Sequence, residues 1–271
     1  MDIAQLFDLS KSQGFALVLL LMIWAQLLFG GMMVGNPNPE RTRRMPVWTR
    51  IGSSVMLVFA AWILFSFLPA PQANPLNPIL TDNVYDYVIY IAIGMTLGLI
   101  GDLFMAKVIR IPRVDPVLPG MIAFGLGHIV YILGLLDIAS KLSLNNDATL
   151  QASLVVWWII AGGLWFALIF LPAREKRGLL HFAALPYALL LASTVAIACA
   201  LALENNQFVL VALGAILFLV SDLILAMHLF NKTYFPLIDD VVWLTYGPGQ
   251  MLIVYGIVMF GLGFPLQLVG L

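Results

Sequence analysis

The chain has 271 residues, of which 62% are hydrophobic and only 10% charged, with a mean hydropathy of +1.00. A soluble domain of this size carries about 25% charged residues, so this composition describes a protein that spans a membrane several times. The net charge of −1 implies no nucleic-acid partner, and the lone Cys199 excludes an intrachain disulfide and a cysteine metal centre. Cys199 reads as a small apolar packing residue.

A membrane span takes about 20 apolar residues. Eight segments qualify, at about 15–34, 47–69, 84–106, 116–136, 150–171, 180–203, 207–229 and 241–262. The expected fold is therefore all-α: one integral bundle of eight transmembrane helices, without a separate soluble domain. The first run is too long for a signal-peptide core and has no basic leader, because Asp2 and Asp8 outnumber Lys11. It reads as a retained helix. Turn and charge signals separate the segments, among them Asn36-Pro37-Asn38-Pro39, Asn145-Asn146-Asp147 and Arg174-Glu175-Lys176-Arg177.

Basic residues set the orientation. Arg41, Arg43, Arg44 and Arg50 follow the first span. Lys107, Arg110 and Arg113 follow the third, Arg174, Lys176 and Arg177 the fifth, and Lys232 the seventh. Only Lys11 and Lys141 fall on the other side. Both termini are expected outside, in a bacterial cell (inner) membrane. Tyr85, Tyr87 and Tyr90 at the start of the third span fit an interfacial aromatic belt, whereas Trp157 and Trp158 read as packing.

Two six-residue phrases echo each other. Gly101-Asp102-Leu103-Phe104-Met105-Ala106 closes the third span, and Ser221-Asp222-Leu223-Ile224-Leu225-Ala226 lies late in the seventh. Each places a carboxylate in an apolar run, at a cost of about 2.5–3.5 kcal/mol at a helix centre and less near an end. A second echo joins Gly125-Leu126-Gly127-His128 to Gly247-Pro248-Gly249-Gln250. The acids are 120 residues apart and the second pair 122. Spans three and four thus resemble spans seven and eight in the same order, as a parallel four-plus-four repeat requires.

At ~1.5 Å per residue, Asp102, Asp222, His128, Tyr246 and Gln250 all fall in the inner half of the membrane. Gly94, Gly98 and Asp102 share one helix face, as do Tyr246 and Gln250, and as do Phe124, His128 and Tyr131. Pro248 interrupts the last span and leaves the Leu244 carbonyl without its helical partner. His181 and His228 read as snorkelling side chains at inner helix ends, and Asp239 and Asp240 as caps of the last helix.

The ordered set of Gly101-Asp102-Leu103, Gly127-His128 with Tyr131, Ser221 to Ala226, and Tyr246 with Gln250 resembles the YhhN-like lysoplasmalogenase family. The likeness covers the second to the eighth span. One departure is visible: the family pattern has Lys-Pro opening the second helix, where this chain has Met45-Pro46, with Arg43 or Arg44 nearby. The resemblance implies a hydrolase acting on a lysophospholipid in the bilayer. It would cleave the vinyl-ether bond of a lysoplasmalogen to a fatty aldehyde and a glycerophospho-base, with no cofactor.

That chemistry starts with protonation at the β-carbon of the vinyl ether and continues with addition of water. Two carboxylates in different protonation states supply a donor, a stabilising charge and a base, as in glycoside hydrolysis. The expected catalytic pair is Asp102 and Asp222, with Asp222, read as the deeper, as the acid. His128, Tyr131, Ser221, Tyr246 and Gln250 are expected to orient the acids or water, and Lys107 and Arg44 to hold the phosphate. Two other readings stay open: a proton-coupled transporter of a small molecule or lipid, and a zinc hydrolase with His128, Asp102 and Asp222 as ligands.

Overall fold

The computed structural model describes residues 12–67, 78–144, 146–173 and 177–261. Lys11, Arg174 and Lys176 of the charge argument lie outside these. The described residues form eight long helices. Helix α1 runs from Ser12–Ala25 through a π turn at Gln26–Gly30 to Gly31–Val34. Helices α2, α3 and α4 are Val47–Phe67, Pro78–Met105 and Val117–Lys141. Helix α5 is Asp147–Trp165, continued by a second π turn at Phe166–Phe170. Helices α6, α7 and α8 are Leu179–Glu204, Val209–Asn231 and Ile238–Gly261.

All eight expected helices are present, and the two largest shifts of an end are at α3 and α4. Helix α3 starts at Pro78 rather than 84, since proline suits a first helical turn. Helix α4 runs on to Lys141, which pairs with Asp137 at 2.7 Å one turn back and with Asp86 of α3. Seven of the helices are long and apolar enough to cross a membrane. The eighth, α8, expected as a span from its apolar run, is the one richest in polar site residues and is not among the seven. Large apolar side chains face outward along the bundle, for instance Val155, Val156 and Ile159 of α5, a surface suited to lipid rather than water.

The helices pack as two four-helix units of like connectivity. In the first, α1 packs on α2, α2 on α3 and α3 on α4; in the second, α5 packs on α6, α6 on α7 and α7 on α8. The units meet where α2 touches α8 and, equivalently, where α4 touches α6. The closest packing is within the α3–α4 and α7–α8 pairs, and it repeats residue by residue. Gly127 lies over the Gly94 carbonyl, where an added Cβ would stand at 3.1 Å; Gly249 lies over the Gly214 carbonyl, at 2.9 Å. Tyr131 fills the space above Gly94 as Ile253 does above Gly214, and Gly134 closes on Tyr90 as Gly256 does on Leu210. Each of these pairs keeps the offsets of 120 and 122 residues seen in the sequence. Both helices are followed by a lysine in left-handed backbone, Lys107 after α3 (φ 59°) and Lys232 after α7 (φ 55°), but these two are out of the repeat register because α7 runs further past its acid. Small residues let the backbones approach closely, which is how helices gain dispersion energy where lipid removes the hydrophobic driving force.

The belt of tyrosines is not as expected: Tyr87 is fully buried within the bundle. Trp158 does more than pack, since its indole donates to the Ser193 hydroxyl at 2.9 Å. Nor does Asp240 cap its own helix. It is fully buried and accepts from the amides of Arg44 and Met45, the latter at 3.1 Å, so α8 grips the loop that leads into α2.

Candidate active site

The two acids sit at the end of the bundle where α3 and α7 finish and α2, α4 and α8 begin. Each accepts a hydroxyl from the helix that precedes it in its own unit. Ser54 of α2 donates to Asp102 at 2.6 Å, and Tyr187 of α6 donates to Asp222. The two donors occupy equivalent helices of the repeat. Their chemistry differs, as does the residue before each acid. Gly101 leaves room for the Phe124 ring, which an added Cβ would meet at 2.8 Å. Ser221 is fully buried; it donates to the Phe218 carbonyl at 2.7 Å and lies 3.4 Å from the Asp222 carboxylate.

Asp102 is the more enclosed of the pair, 3% exposed, while Asp222 is half-buried. Asp222 still lies further from its helix end, so depth and enclosure differ: depth along a helix says nothing about which neighbours cover a side chain. A second hydroxyl, that of Tyr246, is directed at Asp102. Gln250 donates to Tyr246 from one turn further along α8. Gln250 and Tyr246 thus form a buried hydrogen-bonded pair on one face of α8 beside Asp102, as their spacing of four suggested.

Both carboxylates line one cavity of about 430 Å³. Its wall also holds Tyr246, Trp243 and a set of cations: Arg43, Arg50, Lys107 and Arg110. A second, apolar slot runs between α4, α5, α6 and α7, past Met121, Leu164, Ala184 and Ala188. Asp222 lines the slot as well as the cavity, and Met105, Phe124, Leu225 and Leu229 are shared too. A polar chamber and an apolar channel therefore meet at a carboxylate.

Other expected site residues fall elsewhere. His128 donates to or accepts from Thr194 through Nδ1 at 2.9 Å, and its ring packs edge-on against Phe218. It lines neither space and holds no acid. Tyr131 turns its hydroxyl to the Met95 sulfur at 3.7 Å and supports α3 by packing on Gly94. Arg44 spends its Nε on the Gly35 carbonyl at 3.1 Å and its amide on Asp240, so it ties the loop rather than the cavity. Lys107 does line the cavity. His228 does not merely snorkel; it lines the cavity with its Nε2 3.7 Å from Asp239. Among the described residues no three His, Cys, Asp or Glu side chains stand close enough to share a metal.

Three contributors escaped the sequence reading. Ser54 and Tyr187 sit on helices whose faces could not be aligned with the acids in advance. Arg50 reads in the sequence only as a topology charge, yet it lies on the cavity wall. A Ser53-Ser54 pair in an apolar run was the available signal for the first.

Helices long enough to cross a bilayer, an interior acid pair and a chamber open at one end of the bundle define a multi-pass α-helical membrane protein with an embedded polar site. The YhhN family model matches residues 47–257, from the start of α2 nearly to the end of α8, and the chain belongs to that family. No curated protein and no solved structure matches the chain.

Proposed function

We propose that the protein is a lysoplasmalogenase, hydrolysing the vinyl ether of a lysophospholipid to a fatty aldehyde and a glycerophospho-base. The observation that carries this reading is Asp222, which lies where the cationic chamber and the apolar slot join, with Asp102 on the chamber side. An amphipathic substrate fits with its head group in the chamber and its alkenyl chain in the slot. The bond between the two then lies beside the acids.

Asp222 touches the apolar side and is the proton donor. It protonates the β-carbon, and the positive charge spreads over the α-carbon and the ether oxygen. Asp102 carries the opposite charge beside this oxocarbenium ion. It takes a proton from water as the water oxygen bonds to the α-carbon. The hemiacetal hydroxyl then returns a proton to Asp222 while Asp102 passes its own to the departing glycerol oxygen. The aldehyde leaves, and both acids regain their starting states. Positioned acid–base groups of this kind supply about 10²–10⁴-fold, and Tyr187, Ser54 and Tyr246 hold the carboxyl groups in place.

The test is a substrate panel assayed with purified protein in detergent: a lysoplasmalogen beside the acyl and saturated alkyl analogues of the same head group. Only the vinyl ether should yield aldehyde. Turnover of the acyl ester instead, or uptake of a solute driven by a pH gradient in liposomes without any hydrolysis, overturns the reading.

A further inference from the structure

Arg50 has an unusual position for a charged side chain. It is 8% exposed and lies on the cavity wall, and its Nε has no hydrogen-bond partner. Among the described residues it makes no salt bridge. Its guanidinium is held over the Trp243 ring, 5.5 Å from the centroid, a cation–π contact that fixes the plane without neutralising the charge. A guanidinium kept buried and unpaired is costly, and its planar fork suits the oxygens of a phosphate.

Its register on α2 adds a distance. Arg50 lies four residues before Ser54, so the two share a face of the helix and are separated by about 6 Å along its axis. Ser54 marks Asp102 through their hydrogen bond. Arg50 is thus rooted one helical turn from the residue that holds the acid. The three carbons of glycerol bridge a gap of this order between a phosphate and an ether oxygen.

We propose that Arg50 is the anchor for the phosphate ester of the substrate, and that its offset from Asp102 fixes which bond reaches the acids. Arg43, Lys107 and Arg110 line the outer part of the same chamber and draw the anion inward. Asp239, on the same wall, faces the cationic end of a zwitterionic head group. The inference rests on the lipid-hydrolase reading for its substrate. It predicts that a vinyl-ether lipid lacking phosphate is a poor ligand even though it carries the scissile bond.

The test is equilibrium binding to the full chain in detergent micelles, using two non-hydrolysable ligands: a saturated alkyl-ether lysophospholipid and the matching alkylglycerol. The wild type should bind the phospholipid at least about 30-fold more tightly, the order that a charge-assisted contact supplies. Arg50→Gln should bring that ratio close to one, and Arg50→Lys should restore part of it. Equal affinity of the wild type for both ligands overturns the proposal without any variant having to fold. So does a ratio that Arg50→Gln leaves intact. Inorganic phosphate at millimolar concentration should not displace the lipid; displacement would make this a site for free phosphate and overturn the lipid anchor. Because the ligands are not cleaved, a phosphate preference dependent on Arg50 stands even if vinyl-ether turnover fails, and its absence counts against Arg50 even if turnover is found.

Discussion

Tyr187 donates its hydroxyl to Asp222 across the α6–α7 contact, in the place where Ser54 donates to Asp102 across the α2–α3 contact. The repeat has kept the position of the donor and changed its chemistry. A rigid phenol now meets the acid that borders the apolar slot, and a small serine meets the acid that faces the chamber. The difference gives each carboxyl its own environment within one pseudo-symmetric frame, which an acid–base pair needs.

Replacing either acid by asparagine should abolish the chemistry. Asp102→Asn and Asp222→Asn keep shape and remove the carboxyl, so thermal unfolding in detergent should change little while aldehyde release falls by about 10²–10⁴-fold. A variant that folds and retains wild-type turnover removes that residue from the mechanism.

The hydroxyl partners should matter less, and unequally. Tyr187→Phe deletes the hydroxyl on Asp222, the proposed proton donor, without opening a cavity. A lost hydrogen bond to an ionisable group corresponds to about a 10–100-fold fall in kcat. Ser54→Ala leaves Tyr246 still directed at Asp102, so its loss should be the smaller one. Steady-state kinetics of the two variants side by side would settle the order, and a larger effect at Ser54 would contradict it.

Much of this was legible in the chain itself, and the limits are physical. Apolar runs located the helices because a bilayer demands them. The doubled acidic phrase located both carboxylates, and the matching offsets located the parallel repeat. What hydropathy cannot see is rotation about a helix axis. His128 looked like a site residue and instead holds Thr194. Arg44 looked like a phosphate ligand, while Arg50, six residues on, faces the chamber. The π turns at Gln26–Gly30 and Phe166–Phe170 were equally hidden, since nothing in a uniformly apolar run marks where a helix widens.

Glycine substitutions should separate packing from the lipid face. An added Cβ at Gly214 would stand 2.6 Å from the Gly249 carbonyl, and backbone cannot step aside as a side chain can. Gly214→Ala should destabilise by about 1–3 kcal/mol through overpacking. At Gly162 of α5 nothing lies within 4 Å. Gly162→Ala should be neutral or stabilising by about 0.5–1 kcal/mol, since alanine is the better helix former. The detergent-solubilised melting temperature should fall for Gly214→Ala and hold or rise for Gly162→Ala, and an equal fall in both would undermine the account of the α7–α8 contact.

Asp240 should be structural, despite being a buried acid near the site. Its carboxylate accepts from two main-chain amides of the loop before α2. Asp240→Ala leaves those donors without their partner, at about 1–3 kcal/mol for each one left unsatisfied. The loop carries Arg43, a chamber residue, so KM should rise while kcat in the folded fraction is largely kept. Loss of kcat with an unaltered melting temperature would instead assign Asp240 to the chemistry.

Ala188 tests the path of the alkenyl chain. It lines the slot on α6, one residue after Tyr187, and the slot carries almost no polar surface apart from Asp222. A chain lying there must pass Ala188 on its way from the acids. Ala188→Phe adds a ring to that passage and leaves the chamber, the acids and Arg50 as they are. Lipids with short alkenyl chains end before the obstruction and should keep most of their kcat/KM. Longer chains must either displace the ring or stay outside, and each methylene denied burial forfeits about 0.8 kcal/mol, so their kcat/KM should fall progressively with length. A series of alkenyl lengths assayed on both proteins reads this as a change of slope. A uniform drop at every length would mean that the chain takes another route and that the slot serves only to pack the helices.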